Sequence, residues 1–222
     1  MLTKILTVLE RRYGRPEVPP AKGPFELILW ENAVYLLPDE RRTEVFEGLR
    51  RQVGLSPEAI WKAPEKVLLP LAARGGMHPE TRVLRWREIA SITLQQFGGD
   101  LAQVLTMDYA KAKKALKQFP SIGDPGAEKI LMYCGMAAGL PLESNGLRVL
   151  VRIGYGNPHA KNYGAIYKGV QEAVAAQLPK GAAEPSRAHL LLRAHGKTLC
   201  KDANPQCFEC PIAKHCAFAI RP

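Results

Sequence analysis

The chain has 222 residues, 46% of them hydrophobic, with a formal net charge of +10 and a pI of about 9.5. That size allows one large domain or two small ones, burying about 70–75% of the unfolded surface, and the composition is that of an ordinary globular protein. No apolar run reaches the roughly 18 residues of a membrane-spanning helix, and the stretch from Met1 to Arg12 lacks the basic start and cleavage site of a secretory signal, so a cytoplasmic protein is expected. The positive balance favours a polyanionic partner, most simply nucleic acid, although an arginine-rich background composition gives the same charge without one.

The elements read as helices throughout. Residues 2–13 place Leu2, Ile5, Leu6, Val8 and Leu9 at helical spacing, and Gly14 with the prolines at 16, 19 and 20 ends that helix in an extended linker. Residues 24–37 are apolar nearly all round, which predicts a buried helix broken by Pro38. A charged amphipathic helix follows over 39–53, and Ser56-Pro57-Glu58 has the form of an N-cap with proline at the first helical position. A long helix is predicted over 79–97, closed by Gly98-Gly99, then helices over 100–106, 109–118, 125–138, 144–153, 161–178 and 185–199. No strand pattern, internal repeat or low-complexity segment appears, so the fold class is all-α.

Four stretches carry chemistry. Phe119 to Leu131 forms a hairpin: a short turn holding Gly123, then a helix starting near Pro125. Gly123 can take a positive φ and admit a close ligand, the free N–H groups at the helix start suit a phosphate, and Lys129 adds charge. A plain helical corner explains the same residues.

Near the C-terminus, Cys200, Cys207, Cys210 and Cys216 are spaced C-x6-C-x2-C-x5-C. Three readings of this run stand side by side. An iron–sulfur cluster accepts a single looping run of thiolates. Zinc accepts four cysteines but usually takes two close pairs, and two disulfides fit poorly with a reducing compartment. Ahead of them His189, Arg193, His195, Lys197 and Lys201 make either a basic face for phosphate or a solvated helix surface. Cys134 stands apart and reads as a small buried hydrophobe.

Two glutamates complete the set. Glu31 lies in the most apolar helix, where glutamate is seldom buried unless paired or used. A carboxyl in an apolar pocket keeps its proton toward neutrality and can donate it, and a polar stripe on the helix is the bland alternative. Glu143 precedes the helix predicted over 144–153, where a negative charge is favourable for helix stability alone.

Taken in order, these stretches resemble the endonuclease III superfamily of DNA glycosylases. The cysteine spacing is similar to that superfamily's [4Fe-4S] loop. The hairpin resembles its helix-hairpin-helix, close to L-P-G-[VI]-G-x-x-T-A: Pro120, Ile122, Gly123 and Ala127 match, Phe119 keeps the first position apolar, Ser121 replaces the first glycine and Gly126 the threonine. The segment from Leu142 to Arg152 resembles L-D-G-N-V-x-R-V-L-x-R of the mismatch-adenine branch through Asn145, Arg148, Val149, Leu150 and Arg152, with Glu143 at the aspartate. The run Ile28 to Leu36 aligns with W-L-S-E-V-M-L-Q-Q-T with Glu31 at its glutamate, but Tyr35, Leu36 and Leu37 follow where Q-Q-T is expected.

The resemblance implies two helical lobes flanking a cleft for double-stranded DNA. One is a helical barrel over 24–135 with the hairpin at 119–131, and the other a cluster lobe made of 1–23 and 136–222. It implies a [4Fe-4S] cluster on Cys200, Cys207, Cys210 and Cys216, and DNA contacts at Ser121, Ile122, Gly123, Gly126, Lys129, Asn145, Arg148, Arg193 and Lys201. It implies a monomer in the cytoplasm, associated with the nucleoid. Glu31 takes the place of the acid toward the base and Glu143 that of the carboxylate at the sugar. Bifunctional members carry a lysine two residues after the second motif glycine. Here Pro125 stands there and cannot form a Schiff base, and Lys129, one turn further on, is expected to point elsewhere. The activity implied is that of a monofunctional glycosylase. The alternatives are a non-catalytic relative that senses DNA damage or structure and a zinc-stabilised helical nucleic-acid binder.

Overall fold

The computed structural model describes residues 1–219 as helices and connecting turns, and among the described residues there is no strand. The described chain divides into two compact units, residues 19–136 and residues 1–18 with 137–219. The second unit holds α1 (Leu2–Tyr13), and the first runs from α2 (Gly23–Glu31) through α3 (Asp39–Gln52), α4 (Pro57–Lys62), α5 (Glu65–Arg74), α6 (Pro79–Phe97), a 3-10 turn (Leu101–Thr106), α7 (Tyr109–Leu116) and α8 (Asp124–Tyr133). The chain then returns to the second unit with α9 (Ser144–Arg152), α10 (Tyr163–Ala175), α11 (Glu184–Thr198) and two 3-10 turns, Cys207–Glu209 and Ala213–His215. No helix among the described residues is long and apolar enough to cross a membrane.

In the first unit α2 is the central helix, as its all-round apolarity requires. Leu27, Ile28 and Leu29 are buried, and α3, α6, α8 and the 3-10 turn pack on it. Trp30 meets Phe46 of α3 edge to face at 5.4 Å, the arrangement that aromatic quadrupoles favour. The helix expected over 24–37 stops at Glu31. Asn32 ends it: its Nδ2 donates to the carbonyls of Ile28 and Pro120, and Trp86 of α6 donates to its main-chain oxygen at 3.2 Å. Beyond it Leu36 takes a φ of 55°, which a helix does not permit. Ser56 caps α4 as its sequence indicates, accepting from the Ala59 N–H at 3.1 Å. The segment over 65–74, with Pro70 in its interior, gives no clear periodic signal; it is helical because Leu68, Leu71 and Ala72 bury against neighbouring helices.

In the second unit Leu2, Ile5, Leu6 and Leu9 of α1 are fully buried, with α1 packed on α11. Arg187 ties the two helices by a bidentate pair with Glu10, 2.7 Å at the shorter contact. Helices α9 and α11 approach so closely at Gly196 that a Cβ there would lie 2.5 Å from the carbonyl oxygen of Asn145. That approach places the end of α11, and so the start of the cysteine run, against α9.

Candidate nucleic-acid interface and cysteine centre

The hairpin forms between α7 and α8, which pack on each other. Its left-handed residue is Ser121, at φ 63°, and not Gly123, which is extended at φ −92° and ψ −170°. The position that aligns with the motif's first glycine is thus left-handed with serine in place, and the positive φ expected at Gly123 is absent. Ile122 is buried, Ser121 and Gly123 are exposed, and Pro125 lies in the first turn of α8. Gly126 is half-buried and has only ordinary clearance toward Ile122, 3.6 Å from a built Cβ. Asp124 enters the same turn and accepts from Lys117 at 2.8 Å and Lys113 at 3.0 Å, and these two bonds hold its carboxyl below the usual range. Lys113 reaches on to the buried Glu128 at 2.5 Å. Both lysines escaped the sequence reading, because their placement depends on how α7 meets α8.

Glu31 does not sit in an apolar pocket. Its Oε2 accepts from Lys129 Nζ at 2.6 Å, and its Oε1 lies 3.6 Å from Arg42 Nη1. All three side chains are about one-sixth exposed. Lys129 points into the first unit toward α2. Arg42 also lies over the Trp30 ring at 5.7 Å, a position that desolvates its guanidinium face. The glutamate is thus half-buried and paired, the condition under which glutamate is tolerated away from open solvent.

In the second unit Glu143 is the N-cap of α9. Its Oε1 accepts from the Gly146 N–H and its Oε2 from Asn145 Nδ2, each at 2.7 Å. Asn145 Oδ1 accepts from Arg148 Nη2 at 2.8 Å, and Arg148 spends its other donors on the carbonyls of Gly196 and Cys200. Asn145 and Arg148 therefore join the carboxylate to the cysteine run. Tyr163 stands near Glu143, its hydroxyl pushed up first by burial and then by that negative charge.

The four clustered cysteines are free thiols and line one recess with about 340 Å³ of empty space, solvent included. Arg152 organises its rim, donating to the carbonyls of Lys201 at 2.6 Å and Asp202 at 3.0 Å and approaching Cys200 Sγ at 3.5 Å. On the other side His195 Nε2 lies 3.5 Å from Cys210 Sγ, while its Nδ1 meets the Tyr13 hydroxyl at 2.9 Å. Burial lowers this imidazole to about 4, so it stays neutral. Burial also pushes the Cys210 thiol up, and the charges of Cys200, Cys216 and Cys207 add to the rise. Among the described residues no three His, Cys, Asp or Glu side chains are arranged to hold a metal ion. The donor set itself, four thiols on one recess flanked by the Arg152 guanidinium and the His195 imidazole, suits a thiolate-bound centre. His189 is buried and bonded to the Pro141 carbonyl at 2.9 Å, Arg193 is half-buried, and Lys201 is exposed. The basic stretch ahead of the cysteines is thus partly interior. Cys134 lies apart, its thiol pushed up to about 11 by burial.

No protein-family model matches the chain. Endonuclease III of Sulfolobus acidocaldarius is 28% identical over 184 residues, covering 82% of this chain and 76% of that protein. Endonuclease III of Thermotoga maritima is 24% identical over 223 residues, covering all of this chain and 94% of the relative. Among solved structures, an endonuclease III trapped as a covalent intermediate with DNA superposes with a TM-score of 0.74 at 16% identity, over 99% of this chain and 97% of that one. A thermostable thymine-DNA glycosylase gives 0.75 at 18% identity, over 98% and 94%. The all-helical fold is shared with these enzymes.

Proposed function

We propose that this chain, a member of the endonuclease III superfamily of DNA glycosylases, is a monofunctional glycosylase that hydrolyses the N-glycosidic bond of a damaged or mismatched base in double-stranded DNA. The observation that carries the monofunctional assignment is Pro125 in the first turn of α8, at the position that aligns with the lysine of bifunctional members. Proline brings no amine to the sugar, so the abasic product stays unbroken. A base is unreachable inside a duplex and must be flipped out. Cleavage then follows the logic of glycoside hydrolysis, with Glu31 as the acid toward the base and Glu143 as the carboxylate that supports a cation-like sugar or orients its water. The bonds from the Gly146 N–H and the Asn145 amide fix the direction of the Glu143 carboxylate.

Phosphate contacts are assigned to the exposed hairpin backbone at Ser121 and Gly123, with Ile122 packed beneath, and to Arg193 and Lys201. Cys200, Cys207, Cys210 and Cys216 are the residues that would hold a [4Fe-4S] cluster, whose contribution is to shape the loop that carries Lys201 rather than to act on the base. The protein is read as a cytoplasmic monomer acting on nucleoid DNA.

One observation favours a second reading, a DNA-binding relative without catalysis. Both oxygens of Glu143 are committed to capping and both oxygens of Glu31 to cations. Base release from a panel of single-lesion and mismatch duplexes decides between them, with strands read after hot alkali, for the natural protein, Glu31→Gln and Glu143→Gln. Alkali-dependent cleavage at one lesion, lost in the variants, supports the glycosylase and names its substrate. Tight, salt-sensitive binding with no release supports the non-catalytic reading.

A further inference from the structure

We propose that Lys129 is a positioning residue for Glu31, holding its Oε2 and, with Arg42 at Oε1, restricting base release to the acid side of neutrality. The proposal rests on the reading of Glu31 as the group that gives a proton to the departing base. The two cations come from different helices, Arg42 from α3 and Lys129 from α8, and converge on the last residue of α2. At this end of α3, Asp39 reaches Arg42 at 4.0 Å, Arg41 pairs with Glu44 at 2.7 Å, and Glu40 is the remaining charged group of the first turn. From α6 the side chain that arrives here is the neutral Trp86 indole, while Arg82 of that helix is spent on the carbonyls of Ala72, Gly76 and Met77. The 3-10 turn over Leu101–Thr106 has no charged residue.

A carboxylate with an ammonium at 2.6 Å and a guanidinium at 3.6 Å is stabilised in its charged form, and more so because all three groups are mostly shielded from water. A protonated Glu31 is therefore scarce at neutral pH and becomes available as the medium is acidified. Lys129 also fixes where the carboxyl points, since its bond to Oε2 leaves Oε1 as the oxygen with the longer contact. The same bond takes the Lys129 ammonium away from the phosphate contact its sequence position suggests.

The test is the pH profile of base release under single-turnover conditions for the natural protein, Lys129→Met, Lys129→Arg and Glu31→Gln. Loss of the cation in Lys129→Met makes the carboxyl easier to protonate, so the alkaline limb moves to higher pH by about one unit, and Lys129→Arg restores it. A carbon-13 NMR titration of the Glu31 carboxyl in natural and Lys129→Met protein reads the same shift without any turnover. An unmoved titration and an unmoved limb overturn the proposal. So does a fall of about one in the salt slope of DNA binding for Lys129→Met, which marks a phosphate contact instead. Undiminished release by Glu31→Gln overturns the reading of Glu31 itself, and the NMR titration then still reports whether Lys129 sets its charge.

Discussion

Arg148 donates from Nε to the main-chain oxygen of Cys200 at 2.9 Å, across a sequence separation of 52 residues. With its bonds to Gly196 and Asn145, this places the guanidinium inside an intramolecular network. Replacing it by methionine should cost about 2 kcal/mol, the size of a hydrogen bond from a charged group to a half-buried acceptor, and lower Tm by about 4–8 °C. The salt slope of DNA binding should stay as it is. Thermal unfolding and a salt titration of affinity check the two halves; a slope reduced by about one unit would return Arg148 to the phosphate interface.

Gly196→Ala tests the contact between α9 and α11. The new methyl group would meet backbone atoms of Asn145 at 2.5 and 2.8 Å, which no rotamer change relieves. Destabilisation of about 1–3 kcal/mol is expected from overpacking, read by urea denaturation. Faster loss of any cysteine-bound metal should accompany it, because the start of the cysteine run is set by this approach.

Glu143 caps a helix whether or not it acts on a sugar. Glu143→Ala should lower stability by about 1 kcal/mol, while Glu143→Asp, a strong capping residue, should restore it. Denaturation midpoints measure the capping, and base release by the same two proteins measures the chemistry. Full release by Glu143→Ala would remove this residue from the reaction.

Asp124 sits among Lys113 and Lys117, which hold its carboxyl below the usual carboxylate range. A depressed folded value gives stability that is present above the unfolded carboxyl range, near pH 4, and is lost as pH falls through the lower folded value. Asp124→Asn should therefore flatten the acid side of the stability–pH curve below about pH 4. It should also tighten non-specific DNA binding at low salt, since it removes the carboxylate that pairs with Lys117 and leaves Lys113 to Glu128 alone. Affinity unchanged at every salt concentration would place these lysines outside the interface.

Cys134 is held protonated by burial, its thiol at about 11, so the reactive thiolate is scarce at neutral pH. Iodoacetamide should label it slowly in folded protein at pH 8 and rapidly once the chain is unfolded. Mass spectrometry of the labelled peptides distinguishes the two.

The helical class, most helix boundaries, the Ser56 cap and the buried face of α1 were legible from the sequence, because apolar spacing, prolines and capping residues act over one or two turns. So were the hairpin's position and the grouping of four cysteines on one recess, since both lie within short runs of chain. Three things needed the tertiary structure. The helix containing Glu31 ends where Asn32 finds the carbonyl of Pro120, 88 residues away, and no local signal marks that stop. The left-handed residue of the hairpin is Ser121 and not a glycine, because the packing of Ile122 and Phe119 imposes the turn against intrinsic preference. The surroundings of Glu31 changed most. Its helix is apolar in sequence, yet Arg42 and Lys129 arrive from two other helices to neutralise it. Charges interact through space over a few ångströms, and only the packing of α2, α3 and α8 decides which charges those are.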